Sequence, residues 1–254
     1  MSRNLCSVLR AALTTGIVLA ASSAAVSAGS PKKVSPKQIL YYFQGGTDGG
    51  VPNSTVIADP SGNLYGTTEY GGTLNCMNAA RPPHKPPPAG CGTVFKVAAD
   101  GTETVLYSFG PPPDAANPQS GVTMDAQGNL YGTSPLGRTG DEGAVFKVTP
   151  GGVETILYDC QNRADGYLPY GTSVLDASGC LYDTTFEGGA YNVRTVFEIA
   201  SGGSQSVLFS FRKKYGDEPN SGVTLDQSGD IYGTTTRGGN QKGDGDGVVF
   251  KLTP

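Results

Sequence analysis

Short apolar segments alternate with glycine-rich turns along the chain, and one of these segments recurs four times. Gly128 to Ser134 (GNLYGTS) returns in closely similar form at Gly62 to Thr68, Gly179 to Thr185 and Gly229 to Thr235. Each copy is a run of apolar, Tyr and Thr residues bounded by turn residues, which is typical of a β-strand. No sustained apolar period of 3.6 residues follows the N-terminal region, so the pattern predicts almost no helix.

Every repeat contains four such segments, which we name a, b, c and d. Segment a leads into Asp-x-x-Gly, as in Asp125 to Gly128, and segment b is the GNLYGTS stretch. The Asp caps a tight turn and the Gly adopts the positive φ that a short hairpin needs, so a and b are predicted to pair antiparallel. Equivalent positions such as Tyr131 and Tyr182 are 51 residues apart. The d segments are residues 39–43, 105–109, 156–160 and 207–211.

The period and the four strands per repeat predict an all-β fold, a β-propeller of four-stranded antiparallel blades. A string of separate meanders would instead leave every unit with an unpaired edge. The sequence opens with a d segment, residues 39–43, and stops at Lys251 to Pro254, where the next d segment is due. Residues 39–43 are therefore predicted to complete the last blade and close a four-bladed ring. A partial ring that dimerises into eight blades is the alternative.

The repeat motifs resemble a known family. The stretches GNLYGTT, GTVFKV and TVLYSF are similar to the GloVer tandem repeats of bacterial secreted and surface proteins, which often carry C-terminal sorting anchors. This resemblance spans residues 39–252. The GVTLD and GDIY stretches of the last repeat are similar, more distantly, to blades of NHL-type and gluconolactonase-type propellers. The resemblance implies export and a propeller-like repeat, but it carries no activity and no catalytic residues.

The first 28 residues have the features of a secretory signal peptide. Arg3 and Arg10 supply a basic region, residues 11–25 form an apolar run, and residues 26–28 (VSA) resemble a cleavage site. We predict a signal peptide at 1–28, a linker at 29–38 and the propeller domain at 39–254. A membrane anchor is the alternative, but the apolar run is short and is interrupted by Thr and Ser. The expected location is secreted, periplasmic or on the cell surface.

The charge balance of the exported part narrows the range of partners. Loss of Arg3 and Arg10 leaves 16 basic residues against 22 acidic ones. A surface of this sign does not favour nucleic acid or anionic lipid. We therefore expect no nucleic-acid partner and no membrane insertion.

Four cysteines follow Ala28, and an even number in an exported chain predicts two disulfides. Cys76 and Cys91 are 15 residues apart and flank a Pro-rich insertion that contains the single histidine, His84. A bond between them would make this insertion a stiff projection. Cys160 replaces the Phe that ends segment d, and Cys180 replaces the Asn that opens segment b. These two departures in successive blades predict a second bond, between blades.

Antiparallel order places the b–c and d–a loops on one face of the ring and the a–b and c–d turns on the other. The b–c loops differ sharply among the repeats, which is typical of a scaffold with a functional rim, although unconstrained drift gives the same difference. Aromatic rings with a hydroxyl group suit sugar faces or peptide partners, with ordinary loop packing as the alternative. Five tyrosines fall in loops of this variable face: Tyr70, Tyr167, Tyr170, Tyr191 and Tyr215.

Acidic residues gather in the d–a loops of the same face. They could hold a hard cation such as Ca²⁺ or bind a polyol, but Asp before Gly or Pro is also ordinary turn chemistry. Asp244 and Asp246 in a GDGDG run are weaker metal candidates, because the run lacks the third acid and the distal Glu of a calcium loop. We therefore expect that ligand binding requires no cofactor, and Ca²⁺ is the one candidate ion. The four rim acids are Asp48, Asp114, Asp165 and Asp217.

No catalytic motif is recognisable. The chain has a single histidine and no Gly-x-Ser-x-Gly elbow, which argues against a nucleophilic triad. It also has no Cys-x-x-Cys motif and no phosphate-binding loop, which argues against a zinc site or a nucleotide site. We expect a monomeric binding module for carbohydrate or an extracellular protein. The alternatives are a carbohydrate-active hydrolase, lyase or lactonase that uses rim carboxylates, and a structural envelope module.

Overall fold

The computed structural model of the chain describes residues 38–74, 76, 90–138, 140, 142–160, 164–240 and 245–253. These residues form antiparallel β-sheets, and their helical content is one 3₁₀ turn at Lys213–Tyr215. The predicted signal peptide, most of the predicted linker, His84 and Asp244 lie outside the described residues. No helix in the described part of the chain is long and apolar enough to cross a membrane.

The strands form four successive blades in the predicted order, and the fold is propeller-like. Blade 1 contains Ile57–Ala58 (β1), Leu64–Thr68 (β2), Thr93–Val97 (β3) and Glu103–Ser108 (β4). Blade 2 contains Thr123–Met124 (β6), Leu130–Ser134 (β7), Ala144–Val148 (β9) and Glu154–Asp159 (β10). Blade 3 contains Val174–Leu175 (β12), Leu181–Glu187 (β13), Thr195–Ile199 (β14) and Gln205–Ser210 (β15). Blade 4 contains Thr224–Leu225 (β16), Ile231–Thr235 (β17) and Val248–Leu252 (β18).

The a–b turns confirm the mechanism inferred from Asp-x-x-Gly. In blade 2 the Asp125 carboxylate accepts hydrogen bonds from the backbone N–H groups of Gln127 and Asn129 and from the Tyr131 hydroxyl. Gly128 has a φ of 81°, a left-handed conformation that glycine adopts without strain. The other three turns repeat these Asp-centred hydrogen bonds to backbone and tyrosine. Each a strand is only two residues long, so the hydrogen bonds of the turn are needed to hold it against strand b.

The d–a and b–c loops lie on one face, as antiparallel order requires, and they pair with each other. Ala115–Ala116 (β5) pairs with Leu136–Gly137 (β8), and Tyr167–Pro169 (β11) pairs with the end of β13. Isolated bridges join Gly50 to Tyr70 and Asp217 to Arg237 at the equivalent positions of the outer blades. The variable face is therefore a continuous band of loop pairs rather than a set of free loops.

Neighbouring blades pack face to face through a repeated set of contacts. A threonine of strand b donates its hydroxyl to a carbonyl of the next blade: Thr67 to Ser120, Thr133 to Gly171, and Thr184 to Ser221. Between blades 1 and 2, and again between blades 3 and 4, a phenylalanine that follows strand d packs edge-to-face on a phenylalanine of strand c. The threonine hydrogen bonds lie at all three junctions between successive blades, and the aromatic contacts lie at two of them.

The far side of blade 4 has no such neighbour among the described residues. Val249 is 80% exposed, whereas its counterparts Val94, Val145 and Val196 are completely buried. Residues 39–43 form no strand and no ladder with β18. Closure of a four-bladed ring by residues 39–43 therefore stays a prediction.

One of the two predicted disulfides forms. Cys76 and Cys91 are bonded, which is compatible with an extracellular location. The predicted bond between Cys160 and Cys180 is wrong, because Cys160 is a free, buried thiol. Cys160 follows strand d at the loop face, whereas Cys180 precedes strand b at the turn face. A five-residue strand spans about 17 Å, far beyond the Cα separation of roughly 7 Å that a disulfide tolerates.

Candidate functional site

The five tyrosines predicted for the variable face fall into two groups. Tyr70 is buried beneath the loops, and burial together with the neighbouring Glu69 raises its pKa to about 12. Tyr167 donates its hydroxyl to Glu187, and the Tyr170 ring packs edge-to-face on Phe186. Each of these three side chains thus has contacts within the protein, and Tyr167 and Tyr170 are half-buried.

Tyr191 and Tyr215 are the two that project into solvent, with exposed fractions of 47% and 51%. Tyr191 lies in the b–c loop of blade 3, and Tyr215 lies in the loop that leads from blade 3 to blade 4. Arg212 lies against Tyr191: its guanidinium carbon is 3.8 Å from the centroid of the Tyr191 ring, and its guanidinium donates to the Tyr191 hydroxyl. The Lys214 ammonium is 4.5 Å from the centroid of the Tyr215 ring.

These four side chains, Tyr191, Arg212, Lys214 and Tyr215, form what we call the tyrosine–cation patch. The Lys214 ammonium, which hydrogen-bonds the hydroxyl, lowers the pKa of Tyr215, and the positive charge of Arg212 acts in the same direction. Arg212, Lys213 and Lys214 are consecutive and all exposed. A local excess of positive charge beside two accessible rings is thus present on a chain whose formal net charge is −4.

The predicted rim acids take part in the d–a loops instead of converging on one site. The Asp48 carboxylate accepts hydrogen bonds from the Tyr41 hydroxyl and the Gln44 backbone N–H. Asp114 accepts the equivalent pair from Tyr107 and Gly110, and Asp165 accepts from Tyr158. Asp217 occupies a different position of the repeat and pairs with Arg194 at 2.6 Å. Each acid thus has a local turn or ion-pair role.

A carboxylate pair lies at the junction of blades 1 and 2. Burial and the neighbouring Asp114 raise the pKa of Glu154, and the Tyr107 hydroxyl lies between the two acids, 2.9 Å from Asp114 and 3.4 Å from Glu154. Glu103 and Asp48 form an equivalent pair. Burial is the main cause that raises the pKa of Glu103, and the negative charge of Asp48 raises it further. Because the same arrangement occurs at equivalent positions of two repeats, it belongs to the architecture of the d strands.

The described residues contain no group of three or more His, Cys, Asp or Glu side chains arranged to hold a metal ion. Asp246 is exposed and its backbone bridges to Gly238. Its predicted companion Asp244 lies outside the described residues. Ca²⁺ binding stays an expectation of the sequence.

A cleft of about 820 Å³ opens between blades 2 and 3 on the opposite face, among the a–b turns. Its walls include Asp125 and Asp176, which already accept hydrogen bonds within their own turns. Lys147 also lines it, with its ammonium 5.7 Å from the centroid of the Tyr131 ring. The cleft is large enough for a small ligand, but its carboxylates serve the turns that define it.

Two functional or buried polar features, the tyrosine–cation patch and Asp183, were not predicted from the repeats, although each has a signal in the sequence. The basic run at 212–214 is the signal for the patch, because three adjacent cations stand out in an acidic chain. The other signal is Asp183, where the other repeats have Gly. Asp183 is completely buried, and burial raises its pKa to about 7.

Comparison with known protein families gives one match. The profile of the Gloeobacter/Verrucomicrobia repeat matches residues 86–254, about two thirds of the chain. The chain belongs to this family. The Gloeobacter/Verrucomicrobia repeat thus accounts for the motifs of the last three blades and part of the first. No curated protein matches the chain.

Solved structures give distant likenesses. A luciferin-regenerating enzyme is 16% identical over 79% of this chain and 60% of its own, with a TM-score of 0.47. A structure described as a putative gluconolactonase is 16% identical over 78% of this chain and 63% of its own, with a TM-score of 0.45. Dipeptidyl peptidase 4 of Porphyromonas gingivalis is 15% identical over 58% of this chain and 20% of its own, with a TM-score of 0.36. The chain thus spans less than two thirds of each of these structures.

Proposed function

We propose that this chain is an exported binding module that recognises an acidic carbohydrate through the tyrosine–cation patch. One observation carries the proposal: Tyr191 and Tyr215 are accessible and stand beside exposed cations on an acidic chain. The proposal retains the predicted carbohydrate ligand and variable face. It narrows the binding residues to two of the five tyrosines and adds Arg212 and Lys214.

The chemistry of the patch suits this ligand class. A sugar ring has an apolar face that packs on an aromatic ring, and the tyrosine hydroxyl can pair with the sugar's own hydroxyl groups. A uronate carboxylate or a sulfate ester would be matched by a guanidinium, which offers two parallel N–H donors, and by an ammonium point charge. Arg212 is held against Tyr191, so little side-chain freedom is lost when a ligand binds.

The first experiment is a binding screen of the purified chain on an array of neutral and acidic glycans, with and without a calcium chelator. We expect binding to acidic glycans that weakens as salt is added, because exposed charges are screened. Tyr191→Ala and Arg212→Ala should each weaken this binding at least about tenfold, equivalent to the loss of about 1.4 kcal/mol.

Lys147→Ala is the matched control, since it removes a cation next to a tyrosine in the cleft on the other face. Binding that this control abolishes would move the site to the cleft, and binding that the chelator abolishes would move it to the acidic residues. An array with no hits would contradict the proposal and favour a protein partner or a structural role. Release of sugar product would instead favour the enzyme alternative.

A further inference from the structure

The two ends of the blade array expose faces that match each other. On blade 4, Thr234 is exposed, whereas its counterparts Thr67, Thr133 and Thr184 are buried and bonded to the next blade. Val249 is exposed on the same side. At the other end, Val56 of blade 1 is 46% exposed, whereas its counterpart Val122 in blade 2 is 1% exposed. Both halves of one more blade junction are thus present, and in the part of the chain that the structure describes no further blade covers either of them.

Residues 39–43 already occupy the place of a d strand next to blade 1. The Phe43 and Phe95 rings are 4.9 Å apart, as Phe109 and Phe146 are 5.0 Å apart at the junction of blades 1 and 2. The Tyr41 hydroxyl donates to Asp48, as each d-strand tyrosine of blades 1 and 2 donates to its own loop aspartate. No described strand pairs with the outward edge of the segment, and Ile39 and Tyr42 are exposed.

Among the described residues, no strand occupies the d position of blade 4. In the described chain, β18 pairs with β17 alone, and a groove of about 250 Å³ lies beside its free edge. The groove is lined by Phe209, Phe211, Tyr215, Phe250, Lys251 and Leu252, so Tyr215 borders both this groove and the tyrosine–cation patch. In blade 2 the equivalent place belongs to β10, whose Ile156 pairs with Phe146. By the repeat, Ile39 corresponds to Ile156 and Phe250 to Phe146.

We propose that a second copy of this chain binds here, with its residues 39–43 as the d strand of blade 4. In the register of blade 2, Ile39 of that copy lies opposite Phe250, and Tyr42 lies opposite Val248. Its blade 1 then covers Val249 and Thr234. The contact continues the interface already present at three junctions of the chain. Because it is head-to-tail, it must be made twice for two copies to close into one ring of eight blades.

The mass of the protein in solution tests this assembly. The wild-type chain is expected to have the mass of two chains by light scattering, and Val249→Asp is expected to have the mass of one, because it places a charge in the buried contact. Val249 is exposed in the single chain, so this substitution leaves the fold intact by circular dichroism. Val153→Asp is the matched control, because Val153 is also exposed, by 61%, but lies away from the proposed contact. This variant should stay dimeric. A wild-type protein with the mass of one chain would overturn the proposal.

Cysteine cross-linking identifies which chain supplies the strand. A Tyr42→Cys chain and a Val248→Cys chain carrying different tags are mixed and oxidised, and a disulfide between the two tagged chains is expected. The double variant Tyr42→Cys/Val248→Cys should give covalently linked dimers of the chain. Cross-linking of the double variant within one chain would overturn the proposal in favour of closure by its own segment. The native thiol of Cys160 does not interfere, since it is buried.

Discussion

The junction between blades 1 and 2 and the junction between blades 2 and 3 share one backbone frame but fill it with different side chains. Phe109 and Cys160 occupy the same position, because each donates its backbone N–H to a glycine carbonyl at 3.0 Å. At the first junction the Phe109 ring packs on Phe146, 5.0 Å between centroids. At the second, the aromatic ring is replaced by a thiol. Burial, together with nearby acids that include Asp183, raises the pKa of this thiol to about 12.

The change from Phe to Cys is accompanied by changes at two further positions of the repeat. Gly132 in blade 2 leaves room for Phe146, because a Cβ at this glycine would lie 2.6 Å from the ring. Blade 3 has Asp183 at that position, and Ser173 where blade 2 has Val122. The Asp183 carboxylate accepts hydrogen bonds from the Ser173 hydroxyl and the Thr184 backbone N–H. The second junction has therefore exchanged an aromatic contact for a hydrogen-bonded buried carboxyl group.

Removal of the aromatic contact gives the largest expected effect. Phe109→Ala should lower the free energy of unfolding by about 3–5 kcal/mol, since it deletes a buried ring and leaves a cavity. Cys160→Ala at the equivalent position should cost about 1 kcal/mol, because far less apolar surface is lost. Urea denaturation of the two variants measures the difference. Equal losses of unfolding free energy in the two variants would contradict the expectation that the aromatic ring stabilises the first junction more than the thiol stabilises the second.

The pH dependence of stability tests the buried carboxyl group. The folded-state pKa of Asp183, about 7, lies above its ordinary value of 3.8, so the folded protein holds a proton that the unfolded chain releases. This group therefore favours folding at low pH, and its contribution declines as pH rises from about 4 through about 7, by on the order of 4 kcal/mol in all. Asp183→Asn should remove this dependence. Its stability relative to wild type should rise between pH 5 and pH 8 in parallel denaturation series, whereas a constant difference would contradict the assignment.

The blade strands were predictable from sequence because local signals define them. Asp125 and Gly128 fix the turn before β7, and the alternation of turn and apolar segment fixes the rest. Residues 39–43 carry the same signal as the d strands but form no strand, because a strand also needs a neighbour to pair with. The pairing of Cys160 with Cys180 failed for a related reason. Adjacent blades place these positions at opposite faces, which depends on strand direction rather than on residue type.

The candidate site was less predictable than the fold. Loop tyrosines share one sequence signal, yet Tyr70 is buried and Tyr191 is exposed, because loop pairing covers the first and not the second. Arg212 and Lys214 carry no repeat signal at all. Their importance becomes visible only once the two rings beside them are known to face solvent.

A double-mutant cycle asks whether the exchanged positions compensate for each other. Cys160→Phe should cost about 1–3 kcal/mol, because the larger ring enters a junction already filled by the Asp183 side chain. Asp183→Gly should also destabilise, since it empties a buried site. The double variant restores the Phe and the Gly of the first junction, and a favourable coupling of roughly 1–3 kcal/mol is expected. Additive losses measured by denaturation would mean that the two positions changed independently.

The smallest expected effect compares a closed junction with the open side of blade 4. Thr67→Val removes the hydroxyl that donates to the Ser120 carbonyl at 2.6 Å in a buried contact, so it should cost about 1–2 kcal/mol. Thr234→Val changes the equivalent but exposed position and should stay within about 0.5 kcal/mol of wild type in the single chain. Denaturation at low protein concentration measures both. If the two copies associate as proposed, Thr234→Val should become destabilising as the concentration rises, because the Thr234 hydroxyl then meets the carbonyl of the second copy's Ser54, which is the blade 1 counterpart of Ser120.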